Sequence, residues 1–131
     1  MNRRWLALAM ASAGAAGLTA CSGAAAHSAP PPGSAGSSCG ATRTGANVPV
    51  VIKVAKGRVN CGTVMRVESA YAALIKAGKL AGNGGGAPVQ VDGWTCQGYP
   101  TPEVLRTGNA SECHTVSAEV VAVIKLPASG S

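Results

Sequence analysis

From residue 48 apolar side chains fall on every second position. Val48, Val50, Ile52 and Val54 alternate with Pro49, Val51, Lys53 and Ala55. Period two with β-branched residues predicts a strand, and Pro49 confines it to a sheet edge or to the strand's start. Gly57 ends the pattern, and the period then changes. In "NCGTVMRVESAYAALIKAG" (60–78), Val64, Val67, Tyr71, Leu74 and Ile75 recur at three- and four-residue spacing. That is one apolar stripe of a helix. Asn60 is the expected N-cap, with Thr63 as the alternative. Gly78 is placed to close the helix at C′, with Lys76 facing the negative end of the dipole. Arg66, Glu68, Ser69 and Lys76 fall mainly outside the stripe and are expected in water. "GNGGG" (82–86) reads as a flexible loop.

"PVQVDGWTC" (88–96) predicts a second strand and "HTVSAEVVAVIKL" (114–126) a third. In the third, Val116, Ala118, Val120, Ala122 and Ile124 share one face, with Thr115, Ser117, Glu119 and Lys125 on the other. The order is β-α-β-β, an α+β domain over residues 47–126. One amphipathic helix on a three-stranded, mainly antiparallel sheet buries both apolar faces. Strands two and three are expected to pair antiparallel across a long loop, 97–112. Residues 127–131, "PASGS", read as a frayed tail.

The first twenty residues are different. Arg3 and Arg4 precede an uncharged apolar run from Trp5 to Ala16. The run is shorter than the ~20 residues a spanning helix needs, and its profile is that of a secretory signal peptide. Leu18, Thr19, Ala20 and Cys21 then resemble the bacterial lipobox. The resemblance implies cleavage before Cys21, a thioether-linked diacylglyceryl group on it, palmitate-type acylation and a place on the extracytoplasmic face of the cell membrane. Two or more acyl chains give stable anchoring where one gives only marginal binding. Residues 21–46, rich in Ser, Gly, Ala, Pro and Thr, have too little apolar content to bury a core and read as a lipid-anchored disordered tether.

The anchor resolves the cysteine count. Five cysteines are present, and lipidation of Cys21 leaves Cys39, Cys61, Cys96 and Cys113, an even number in an oxidising compartment. Cys96 ends strand two and Cys113 starts strand three, so antiparallel pairing joins them. Cys39 and Cys61 remain and lie within reach of each other. The rival pairing is Cys61–Cys96 with Cys39–Cys113.

Composition narrows the core and the partners. With no Phe in the chain, the core must be Val, Ile, Leu and Ala around Trp94 and Tyr71. The formal net charge of +6 falls to +4 once Arg3 and Arg4 leave with the signal peptide. The cations are scattered and not interleaved with aromatics, which excludes a nucleic-acid interface. A mildly basic surface suits an anionic bilayer or wall polymer, or serves solubility alone.

Candidate chemistry is sparse. His27 falls in the tether. His114 and Glu112 flank Cys113 on one face, with no third ligand at metal-binding spacing. Asp92 precedes Gly93 and reads as a turn residue. No nucleophile elbow, P-loop, HExxH or dinucleotide turn is present. The expectation is therefore a non-enzyme without cofactor or metal: a monomeric binding or interaction module of the cell envelope. Its partners would be the membrane and an envelope protein or wall polymer. The candidate contact surface is the loop 97–112 with Tyr99, Val104 and Leu105, unless that loop packs on its own domain. The alternative is an inhibitor of a secreted hydrolase, presenting the same loop in extended form.

"GRVNCGTVMRVESAY", "GWTC" and a later Cys before a strand resemble a widespread group of small exported actinobacterial proteins. Cys39-Gly40, Gly57–Cys61, Tyr71, Gly93–Cys96 and Cys113 carry the resemblance. It implies this fold and two disulfides, and no biochemical activity.

Overall fold

The computed structural model of the chain describes residues 31–82 and 86–126. Its elements are β1 (Ser38–Arg43), β2 (Pro49–Lys56), α1 (Cys61–Lys76), β3 (Val89–Val91), β4 (Trp94–Gly98), α2 (Thr101–Thr107), β5 (Asn109–His114) and β6 (Glu119–Ile124). The strands form one sheet in the order β1-β2-β6-β5-β4-β3, and every pairing is antiparallel. The α+β class agrees with the sequence. Three strands and one helix understate it.

Three of the differences have clear physical causes. The described part of the expected tether, residues 31–46, is folded. Ser38–Arg43 pairs with β2, the Gly36 N–H donates to Val54 O at 2.8 Å, and the Val54 N–H donates to Ser37 O at 2.9 Å. A segment with almost nothing to bury is held here by main-chain hydrogen bonds and by the Cys39–Cys61 disulfide. The signal peptide, Cys21, residues 22–30 of the tether and the 127–131 tail lie outside the described residues.

The expected second strand is a hairpin, β3 and β4, because Asp92 and Gly93 both adopt positive φ (48° and 82°). Two such residues make the two-residue turn that matches strand twist. The expected third strand, 114–126, holds only the last residue of β5, then a turn and β6, and β4 pairs with β5 rather than with β6 as expected. Residues 115–118 turn between β5 and β6, where the Thr115 N–H donates to Ala118 O and Thr115 Oγ1 accepts from the Ser117 and Ala118 N–H groups. Val116, placed on the buried face by its alternation, sits fully exposed at this tip. His114 ends β5 and does not begin β6. The expected long loop 97–112 holds the end of β4, all of α2 and the start of β5.

α1 follows the expectation closely. Asn60 Oδ1 accepts from the Thr63 N–H at 2.9 Å. At the other end the Gly78 N–H donates to Ile75 O and the Lys79 N–H to Leu74 O, a Schellman closure that uses the positive φ of Gly78 (64°). The helix runs alongside β1. Cys39 is bonded to Cys61 at its start. A Cβ on Gly40 would touch the end of Met65, and one on Gly45 would lie 2.6 Å from Ile75. Gly45 is therefore a point where only a bare backbone lets a turn press on the helix.

α1 covers the sheet face formed by alternate residues of the central strands. Val54, Val120, Cys113 and Cys96 stand side by side across β2, β6, β5 and β4, and all are buried. Cys96 and Cys113 face each other directly and are bonded. Val64, Val67 and Tyr71 pack into the same core. Glu68 does too. It is 5% exposed, which corrects its expected placement in water.

Candidate functional site

One step along the strands from that filled row lies a row of small residues. Gly98, Ser111 and Ala122 are neighbours across β4, β5 and β6, followed by Ile52 on β2. The side chains above them on α1 do not reach down to fill the space. The result is a cavity of about 220 Å³, partly open to solvent. Its floor is Gly98, Ala110, Ser111, Ala122 and Ile124. Its roof is Glu68, Tyr71, Ala72 and Ile75 of α1. The turn between β1 and β2 walls one side, and Val104 of α2 walls another.

The turn is a firm wall. The Thr44 N–H donates to Val48 O, the Asn47 N–H to Thr44 O, and the Val48 N–H to Thr44 Oγ1. Arg43, also on this wall, donates from Nη1 to Asn47 O at 2.9 Å. α2 is a lighter one. It has no buried residue and ends at Gly108 in the left-handed region.

The roof carries the feature that sets this cavity apart. Glu68 Oε1 is buried without a hydrogen-bond partner, and removal from water pushes the Glu68 carboxyl up to about 7. Burial raises the neighbouring Tyr71 hydroxyl to about 12, with the Glu68 charge adding to the effect. An unsatisfied buried carboxyl oxygen is costly. Comparison with known proteins is silent: no family model matches this chain, and no curated protein or solved structure matches it either. The chemistry of the cavity is the guide. A carboxyl in largely apolar surroundings accepts a hydrogen bond, donates one when protonated, or pairs with a cation.

Sequence reasoning missed this site, although a signal was present. Glu68 lies four residues after Val64 and three before Tyr71, at the centre of the apolar stripe, so the stripe could be buried only with Glu68 in it.

The residues that the sequence singled out as a contact surface are dispersed. Tyr99 turns back on its own domain: its hydroxyl donates to Glu112 Oε2, while Gln97 Nε2 donates to Glu112 Oε1 at 2.8 Å. Burial, then the bond to Glu112, raises the Tyr99 hydroxyl above its ordinary range. His114 Nδ1 lies 3.9 Å from Glu112 Oε1, on the sheet face away from α1. Val104 lines the cavity. Leu105 alone of the three projects into solvent, at 82% exposure. The extended loop that an inhibitor needs is absent from 101–107, where α2 is closed by a 2.6 Å Arg106–Glu103 ion pair. Among the described residues no three His, Cys, Asp or Glu side chains come together as a metal group, and no helix is long and apolar enough to cross a membrane.

Proposed function

We propose that the chain is a lipoprotein held by Cys21 on the extracytoplasmic face of the cell membrane, whose folded domain binds a small molecule and leaves it unchanged. The observation that carries the reading is the cavity under α1, which Glu68 lines. A cavity left between helix and sheet forgoes packing contacts that would stabilise the fold, and a buried unpaired carboxyl oxygen beside it adds a further cost. A ligand seated in the cavity offsets the cost of the space. The lipobox resemblance at Leu18–Cys21 and the likeness to small exported actinobacterial proteins support the location. The resident partners are then the membrane, through the anchor, and an envelope molecule that delivers or receives the ligand.

All eight described elements and both disulfides lie within residues 38–124, so the oxidised mature chain from residue 22 retains the whole described fold without its lipid. The test is an NMR titration of that chain with small aromatic and alkyl probes at millimolar concentration. Binding in the cavity shifts the amides of 43–48, 68–75 and 104–111 and spares those of β3. A panel that leaves these resonances in place refutes the reading.

A further inference from the structure

Cations that are scattered along the sequence gather at one end of the fold. Of the eleven Lys and Arg residues, nine remain without Arg3 and Arg4, and five of these stand at the end that holds the cavity. Arg43 pairs with Pro49 in the ladder, and the Lys125 N–H donates to Pro49 O, so the two flank the start of β2. Lys76 ends α1, next to Ile75, which the Gly45 turn presses on. Lys79 closes the same helix end through its bond to Leu74 O. Arg106 lies on α2, whose capping residue Gly108 accepts from the Ile124 N–H at 2.7 Å. All five side chains are exposed. Among the described residues only Arg106 meets a carboxylate, that of Glu103. Arg43 donates to Asn47 and keeps its charge. Glu68 is buried, Glu112 lies midway along β5, and Asp92 and Glu119 stand at the opposite end of the sheet. The same cationic end leaves two leucines in water, Leu105 at 82% exposure and Leu126 at 77%. The other large apolar side chain that is exposed among the described residues, Val116, is at the opposite tip.

We infer that this end of the domain docks on an anionic phospholipid bilayer, with its cations at the lipid phosphates and Leu105 and Leu126 in the acyl boundary. Charge complementarity carries the choice of partner: each cation held near an anionic leaflet strengthens binding by about fivefold. The leucines separate a bilayer from a soluble polyanion, which satisfies cations equally well and offers no apolar phase. Docking there needs neither the cavity nor an occupant of it, so it stands apart from the binding reading above. The proposed anchor at Cys21 permits it. The chain enters at the opposite end, where Ser34 bridges Arg58. The ten steps from Cys21 to Pro31 extend at most about 33–36 Å. The longest strand, β2 with 8 residues, spans about 27 Å. An anchored chain can therefore run back along the strands with the cationic end on the membrane.

The test is vesicle sedimentation of the oxidised mature chain from residue 22, without its lipid. Vesicles of phosphatidylglycerol and phosphatidylcholine in equal parts are compared with phosphatidylcholine alone. Partitioning is expected to be at least about tenfold stronger on the anionic vesicles and to weaken as salt is added. Lys76→Gln, Lys79→Gln and Lys125→Gln combined are expected to lower it at least about tenfold. Leu105→Ser with Leu126→Ser leaves the charge unchanged and is expected to lower it by a similar factor, about tenfold. A control removes as much charge elsewhere: Lys53→Gln, Lys56→Gln and Arg66→Gln with Val116→Ser. It is expected to stay within about threefold of the unmutated chain, since charges more than a screening length from the leaflet add little. Every substituted side chain is exposed, and an unaltered thermal unfolding midpoint confirms that each variant folds. No preference for anionic vesicles overturns the docking. So does an equal loss in the control and in the three-lysine variant, because the attraction then belongs to the whole surface and not to this end. Binding that survives the loss of both leucines overturns the bilayer as partner, and is the result a soluble polyanion would give.

Discussion

The two ends of the helix–sheet interface are made from the same strands and behave in opposite ways. At one end Cys96, Cys113, Val120 and Val54 form a row with no exposed side chain. Trp94 and Val91 extend it, Val64 and Val67 cover it, and a disulfide crosses it. Two residues further along each strand the row becomes Gly98, Ser111, Ala122 and Ile52. There the helix presents a carboxyl over a void. A domain this small has little stability to spare. Concentrating packing and a covalent bond at one end lets the other remain hollow and hold an unsatisfied group without unfolding the whole.

The largest effect should come from the filled end. Replacing Cys96 and Cys113 together by Ala releases the constraint between residues 17 positions apart and is expected to cost about 3–4 kcal/mol, read from urea unfolding of the oxidised chain. A loss under about 1 kcal/mol would show that the packed row does not anchor the fold.

Next comes Glu68, at the hollow end. Its folded value near 7 lies above its ordinary 4.5, so between those values the folded state holds more protons than the unfolded one. Stability is then greatest at and below about pH 4.5 as far as this group is concerned, falls as pH rises, and has lost its full share above pH 7. A 2.5-unit difference corresponds to about 3 kcal/mol. The other ionisable side chains that line the cavity are Tyr71 on the same helix and Arg43 on the β1–β2 wall. Glu68→Gln should flatten this part of the stability-against-pH curve, measured by denaturant midpoints from pH 4 to 8. An unchanged slope would place the carboxyl in water and remove the contrast between the two ends.

A matched pair of enlargements sharpens the comparison. Val120→Leu overfills a packed position and should cost about 1–3 kcal/mol. Ala122→Leu, one inward position along β6, extends into the cavity and should cost under about 1 kcal/mol or stabilise. Thermal unfolding of both decides, and equal losses would mean that the void collapses in solution. The smallest effect belongs to Leu105→Ala, which removes a side chain that touches little. It should change stability by under about 0.5 kcal/mol, with an unaltered unfolding midpoint as the check.

Part of this contrast was legible in the chain and part was not. The packed end announced itself through periodicity: β2 by its alternation, α1 by its stripe and both caps. The Cys96–Cys113 pair follows from an expected meeting of strands two and three, and the structure joins it instead across β4 and β5, with β5 lying between β4 and β6. Asp92-Gly93 reads as turn chemistry, yet the apolar residues on both sides of it suggest a single strand, which conceals the β3–β4 hairpin. The hollow end gave no such sign. Ser111 and Gly98 lie in the expected loop 97–112, where alternation is too short to register. The charge of Glu68 points to water, while its place in the stripe points to the core, and the stripe prevails.

What the sequence determined by itself is local: where the chain alternates, where it coils into a helix, where it turns, and which cysteines those elements could bring together. These follow from side-chain periods and backbone preferences within a few residues. Only the tertiary structure decided that Ser38–Arg43 would be an edge strand, since its stabilising partners are main-chain groups of β2 and a cysteine 22 positions away. It alone aligned Gly98, Ser111 and Ala122, which are distant in sequence and become neighbours through strand register. A cavity is a property of facing surfaces. No single segment encodes it, and the carboxyl that gives it chemistry becomes unusual only when the sheet removes its water.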